Sequence, residues 1–248
     1  MSEIFTVDFE VQKRVQKSYG YEELYLGFRG KPIGYKAILR NGKLMAIVKR
    51  GYKLIPHEEV EAALLRARLE IVSKEDTGSR AYYVAKVPGR DDFRIFVVNS
   101  VDGSHALMLR YVFIFEGFDF VVTRMPEKVG EVKKIHKKHA EANDIPEIVA
   151  NMITTADQIK AIIAQTFKLP AKSFKETWEY LKDQIPEKYT RHVMARLYVK
   201  GEELTVGDVY REIYRRIWQS NNTMQTKLTF LNRLNEVLWI VAELGELM

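Results

Sequence analysis

From Leu24 to His57 the chain runs 34 residues without an Asp or Glu, and the same stretch carries eight cations: Arg29, Lys31, Lys36, Arg40, Lys43, Lys49, Arg50 and Lys53. Tyr25, Phe28, Tyr35 and Tyr52 are interleaved with them. Cations at this density neutralise phosphates, and exposed rings offer unpaired bases a stacking surface, with Tyr35 and Tyr52 as the candidate stackers. The competing arrangement is a solvated basic face whose rings turn into the core. A second basic run, Lys133-Lys134-Ile135-His136-Lys137-Lys138-His139, supplies Lys133, Lys134, Lys137 and Lys138 as further candidate phosphate contacts. Neither face of that run is wholly apolar, as in an edge strand or exposed connection, where lysines also block unwanted strand pairing. Its two histidines have no carboxylate pair beside them, so no metal is expected.

A third stretch, Asn99-Ser100-Val101-Asp102-Gly103-Ser104-His105, brings together a carboxylate, two hydroxyls and an imidazole. Hydrolysis by Asp102 and His105 is conceivable, but Asp-Gly is a turn dipeptide and Asn, Ser and Asp bond their own backbone in turns. No GxSxG elbow surrounds either serine. Walker-type, GxGxxG, HExxH and EF-hand patterns are missing, and Gly27, Gly30 and Gly34 are followed by no clear helix. The reading assigns no catalytic residue and no cofactor, and it expects a non-enzymatic protein.

The elements that must position these residues fall into two classes. Ile33–Leu39 and Leu44–Val48 flank Arg40-Asn41-Gly42-Lys43, a strong hairpin signal. Ala81–Val87 and Phe93–Asn99 flank Pro88–Asp92, and Ala106–Phe115 and Phe118–Thr123 follow further turns. One early helix is expected near 57–67, opened by Pro56. After Asp144 the pattern becomes helical: a run to Phe167, capping boxes at Ser173/Glu176 and Thr205/Asp208, a helix near 187–199, and a last one after Asn221-Asn222-Thr223. The aromatic residues of this part, from Trp178 to Trp239, fall at helical spacing and read as core or subunit interface. Strands followed by helices predict an α+β fold: a largely antiparallel basic sheet domain over 1–143, then a helical domain or subdomain over 144–248.

Charge follows the same division. Residues 1–143 hold 25 basic and 19 acidic side chains, whereas 144–248 hold 14 of each, so the formal net charge of +6 lies in the first part. Without cysteine there is no disulfide, no thiolate zinc site and no cysteine nucleophile. The opening residues read as no secretory leader, and no segment approaches a membrane span, so a cytoplasmic protein is expected. Absent Cys and few Gln fit a hot-living host.

Three stretches carry a resemblance to the phage/plasmid-like proteins of unknown function. Ile47–His57 resembles the family's Gly-Tyr segment before an apolar-Pro turn and helix. Val98–Leu107 resembles its Asn-Ser-x-Asp-Gly-Ser signature through Asn99, Ser100, Asp102, Gly103 and Ser104, and Lys134-Ile135-His136 resembles a later strand. The resemblance covers about 30–140. Members commonly continue with Arg-Val-Val-Cys-x-Asn, whereas Gly117–Arg124 has neither the Cys nor the Asn, which marks a divergent member. The resemblance implies a virus or plasmid context and supplies no catalytic residues.

Together these features lead to an expectation of single-stranded DNA binding or annealing through the basic hairpin, with the helical part joining subunits into an oligomer. The alternative is a protein that blocks a host defence system by protein contact. A metal-dependent nuclease is less favoured.

Overall fold

A computed structural model describes residues 9–104, 107–115, 118–123, 141–199 and 204–247. It is an α+β protein with two antiparallel sheets followed by helices. The first sheet is a four-stranded meander of β1 (Glu10–Gln16), β2 (Tyr21–Phe28), β3 (Lys31–Arg40) and β4 (Lys43–Lys49). The helix α1 (His57–Arg66) follows. The second sheet has the order β5 (Glu70–Asp76), β6 (Arg80–Lys86), β7 (Phe93–Ser100), β8 (Met108–Phe115) and β9 (Phe118–Val121). Then come α2 (Ile145–Lys168), α3 (Lys175–Gln184), α4 (Glu187–Val199), α5 (Val206–Trp218) and α6 (Met224–Leu244).

Compactness groups the chain by contact and not by order. One unit comprises Met1–Arg90, Ile95–Leu109 and Lys133–Ala150, and the other Asp91–Arg94, Arg110–Val132 and Asn151–Met248.

In the first unit, the predicted Asn41-Gly42 turn joins β3 to β4 with φ of 50° and 77°, the left-handed pair that matches strand twist. A second turn of the same sign pattern, Arg29-Gly30 at 50° and 73°, joins β2 to β3. One face of the meander packs into a core of Tyr21, Ile38, Val48, Leu54 and Val101. Strands β1, β2 and β5 carry no clear alternation in sequence. Strands β1 and β5 are outer strands made mostly of exposed polar residues. In β2 a charged residue, Glu23, stands on the core-side row where an apolar one is expected, and it is 3% exposed.

In the second unit, Phe120, Phe167 and Tyr210 form a tight aromatic group with ring centroids 5.0–5.7 Å apart. Buried Asn235 on α6 donates to the Tyr210 hydroxyl at 2.9 Å and to the Leu231 carbonyl at 2.8 Å. Of the helical aromatics, Trp178, Tyr210, Tyr214 and Trp239 are buried, while Tyr180 and Tyr198 are 46% and 40% exposed. The predicted box at α5 forms: Thr205 Oγ1 accepts from the Asp208 N–H at 3.2 Å, and the Asp208 carboxylate accepts from the Thr205 N–H at 3.0 Å. At the other predicted box, a short 3-10 turn over Ala171–Phe174 replaces the cap, and α3 begins at Lys175. Thr205→Ala should therefore cost about 1 kcal/mol of unfolding free energy, measured by urea denaturation. No loss would show that the box adds nothing to the packing of α5.

Candidate nucleic-acid interface

The structure divides the ten sequence-predicted residues of the acid-free stretch into paired and unpaired groups. Lys36 is the clearest correction. It is 3% exposed, and its Nζ lies 2.6 Å from Oε1 of the equally buried Glu23, whose other oxygen accepts from the Tyr25 hydroxyl at 3.1 Å. An ammonium held this way is part of the scaffold and is not offered to a phosphate. Arg40 is also occupied: its guanidinium pairs with Glu58 and, at 3.3 Å, with Asp76, and sits 5.3 Å from the Tyr21 ring centre. Lys53 pairs with Glu141 at 2.9 Å.

Tyr52 is the second correction. It packs beside the Tyr21–Ile38–Val48 core, and its hydroxyl donates to the Ser100 carbonyl at 2.9 Å. Burial pushes that phenol up to about 12. A ring fixed in this way is not a stacking platform. Lys43 is exposed, but it lies at the opposite end of β3 from Lys31, about 30 Å away at roughly 3.3 Å per residue.

Arg29, Lys31, Tyr35, Lys49 and Arg50 remain, and the fold gathers them. Arg29 and Lys31 occupy the β2–β3 turn. Tyr35 pairs with Lys49 across the strands, and the Arg50 N–H bonds to Gly34 O at 2.8 Å. The register adds Lys13 from β1, which faces Tyr25, which in turn faces Lys36. Three cations therefore surround the Tyr25 ring: Lys36 and Arg50 at 5.5 Å and Lys13 at 6.0 Å. Arg29 lies 5.1 Å from the Phe28 ring centre, and Phe28 and Tyr35 are 39% and 46% exposed. Among the described residues, Lys13, Arg29, Lys31, Lys49 and Arg50 make no ion pair. Two carboxylates are close: Glu23, held by Lys36 and Tyr25, and Glu10, which accepts from the Gly30 N–H at 3.0 Å. Lys13 lies outside the acid-free window, so a composition scan passes over it, and only the β1–β2 register brings it in.

The lysines Lys133, Lys134, Lys137 and Lys138, with His136, His139 and His105, lie outside the described residues.

The Asn-Ser-x-Asp-Gly-Ser stretch is a turn closed by its own side chains. Asp102 Oδ1 accepts from the Ser104 N–H at 2.8 Å, Arg80 Nε donates to Ser104 Oγ at 3.1 Å, and Gly103 is left-handed at φ 72°. Burial alone would raise the Asp102 carboxyl, but bonds from Ser104 and the charge of Arg80 hold it below the usual range. No group of three or more metal-ligating side chains occurs among the described residues.

Asn99 turns inward. Its Nδ2 donates to Ile55 O at 3.0 Å and to His57 Nδ1 at 2.9 Å, while His57 Nε2 donates to Gly78 O at 3.2 Å. The Tyr83 hydroxyl donates to His57 O at 3.0 Å. The Val98–Ser104 and Ile47–His57 stretches thus meet through His57–Asn99, Ile55–Asn99 and Tyr52–Ser100, and Val101 packs with Val48 and Leu54. No family model, curated protein or solved structure matches the chain.

Two expectations follow for this framework. Burial pushes the His57 imidazole below its usual value, so the unfolded chain takes up the proton first. Stability is then full above about pH 6.5 and declines as pH falls below it. Urea melts at pH 7.5 and 5 should show that decline, and His57→Gln should reduce it. An unchanged slope in the variant would remove His57 from the effect. Separately, Lys36→Met should destabilise by up to about 3–5 kcal/mol by leaving the buried Glu23 with only Lys17 at 3.8 Å and the Tyr25 hydroxyl, and adding Glu23→Gln should recover most of that loss. A single variant as stable as the parent would contradict the buried pair.

Proposed function

We propose that the chain is a non-enzymatic nucleic-acid-binding protein that holds a single-stranded backbone at the far end of its four-stranded sheet. One observation carries this reading: five cations without ion pairs among the described residues collect there with two exposed rings, around a Lys36 that is buried against Glu23, while the paired Arg40 and Lys53 sit elsewhere. Phosphates bind by charge, and bases stack on Tyr35 and Phe28. The resemblance to the phage/plasmid-like proteins adds a mobile-element context in which strand binding or annealing has a use.

The paired double change Lys31→Glu/Lys49→Glu should weaken binding to a labelled single-stranded oligonucleotide more than tenfold at low salt. It should also lower the slope of log affinity against log salt by about two, at roughly 0.7–0.9 per phosphate contact. Tyr35→Ala should weaken binding by about 1–3 kcal/mol without changing the slope. Parent-like binding by both variants, followed by fluorescence anisotropy, would sink the reading.

A second reading has its own observation. The outer face of the sheet exposes Val11, Leu44 and Ile47 at 51%, 56% and 54%. Phosphates have no use for these aliphatic groups, and together they fit contact with another protein. If the parent chain binds no oligonucleotide at any salt concentration, the protein-contact reading takes precedence.

A further inference from the structure

The helical part is neutral by count, yet its charges are not evenly placed. Helices α4 and α5 pack against each other, and beside them is a groove of about 540 Å³ lined by Lys188, Arg191, His192, Ala195 and Arg216. Lys188, Arg191, His192 and Ala195 fall at i, i+3, i+4 and i+7, which is one face of a helix. The opposite face of α4 buries Tyr189, Thr190, Val193 and Met194. Among the described residues, the groove lining includes no carboxylate.

Among the described residues, Glu187 and Glu212 pair with cations of the groove. Glu187 holds Arg191 at 2.9 Å. Glu212 is shared by Arg216 at 2.9 Å, Arg196 at 3.6 Å and His192 Nε2 at 4.0 Å. Lys188 has no ion pair among the described residues, and its Nζ lies 4.9 Å from the Tyr189 ring centre. Lys188 supplies the wall's unpaired charge among the described residues, and Arg191 and Arg216 would have to exchange their exposed carboxylate partners for phosphate, which a chain of phosphates with several charges favours.

We propose that this α4–α5 groove is a second phosphate-binding surface, taking the sugar–phosphate backbone of a single-stranded nucleic acid. The identity of the polyanion rests on the function proposed above, but the groove and its charges do not. Contact is electrostatic and independent of sequence, because the lining offers no ring on which a base could stack except the half-committed imidazole of His192.

The test uses the full chain and a labelled oligo-dT, with anisotropy read across a salt series. Lys188→Glu/Arg191→Glu should lower low-salt affinity about tenfold and reduce the salt slope by about two. Lys188→Gln/Arg191→Gln should shift both in the same direction by less. Both residues are at the surface, so the melting temperature should stay near that of the parent. If only the glutamine variant folds, its slope decides the matter. Parent-like affinity and slope in the folded variants overturn the groove. The Lys31→Glu/Lys49→Glu variant separates the two claims. Loss there with an intact groove variant leaves the sheet end as the binding site and removes the groove. Loss only in the groove variants supports the groove and removes the sheet end. Parent-like binding in every variant removes both.

Discussion

A neutral imidazole between an amide and a carbonyl sets much of the first unit. His57 must accept at Nδ1 and donate at Nε2, because Asn99 Nδ2 faces the first nitrogen and Gly78 O the second. The same Asn99 amide also donates to Ile55 O, so its orientation is fixed from two sides. Burial disfavours the charged form that would break this arrangement. The joint ties β7 to the start of α1, and Glu58, the next residue, reaches Arg40 at the end of β3. The stretch that looks most like a catalytic signature is therefore the fastening of the scaffold. The Asn99 amide N–H groups go to Ile55 O and His57 Nδ1 and Asp102 Oδ1 takes the Ser104 N–H, while the buried Asn99 Oδ1 has no partner among the described residues.

That fastening decides which cations remain available. Where the four-stranded sheet meets α1 and its neighbours, Arg40 and Lys53 are held by carboxylates, and Tyr52 is held by Ser100 O. At the far end no carboxylate comes within ion-pairing distance of Arg29, Lys31, Lys49 or Arg50 among the described residues. Lys36 marks the transition. It is the third of the eight cations of the acid-free stretch by sequence, and it is the most deeply buried of them in space. A buried pair of this kind contributes little net stability, but breaking one side of it is costly, so it fixes the β2–β3 register more than it strengthens the sheet.

Much of the α+β plan was legible because its signals are local. The Asn41-Gly42 turn, the Thr205/Asp208 box and the apolar stripe of α5 each depend on residues within a few positions of one another. The α1 helix starts within a residue of where Pro56 places it. What was not legible depends on partners distant in sequence. Glu23 lies one residue before the acid-free window opens and neutralises a lysine inside it. Lys13 joins the basic end only through the pairing of β1 with β2. Tyr35 and Tyr52 look alike as residues between cations, and only the second is fixed by a hydrogen bond to a strand nearly fifty positions later. In the helical part, equal counts of acids and bases conceal the α4–α5 groove, because Glu212 is shared by Arg216, Arg196 and the His192 imidazole and Lys188 is left in excess among the described residues.

The proposed preference for a single strand over a duplex rests on shape as well as on exposed rings. A two-stranded ribbon fits the major groove of B-DNA, which is about 12 Å wide. The β2–β3 turn is not a free ribbon, because β1 runs beside it as far as Glu10 opposite Gly27, and the Glu10 carboxylate holds the Gly30 N–H. Three strand axes already span about 10 Å before side chains are added. With Phe28 and Arg29 projecting from the turn and Tyr35 and Lys49 beside it, the end of the sheet is too broad to enter that groove. In the proposed function a flexible single strand instead wraps around it, with phosphates on the lysines and arginines and bases on the exposed rings. The Tyr25 ring already has three cations around it, which leaves Tyr35 and Phe28 as the rings with surface to offer.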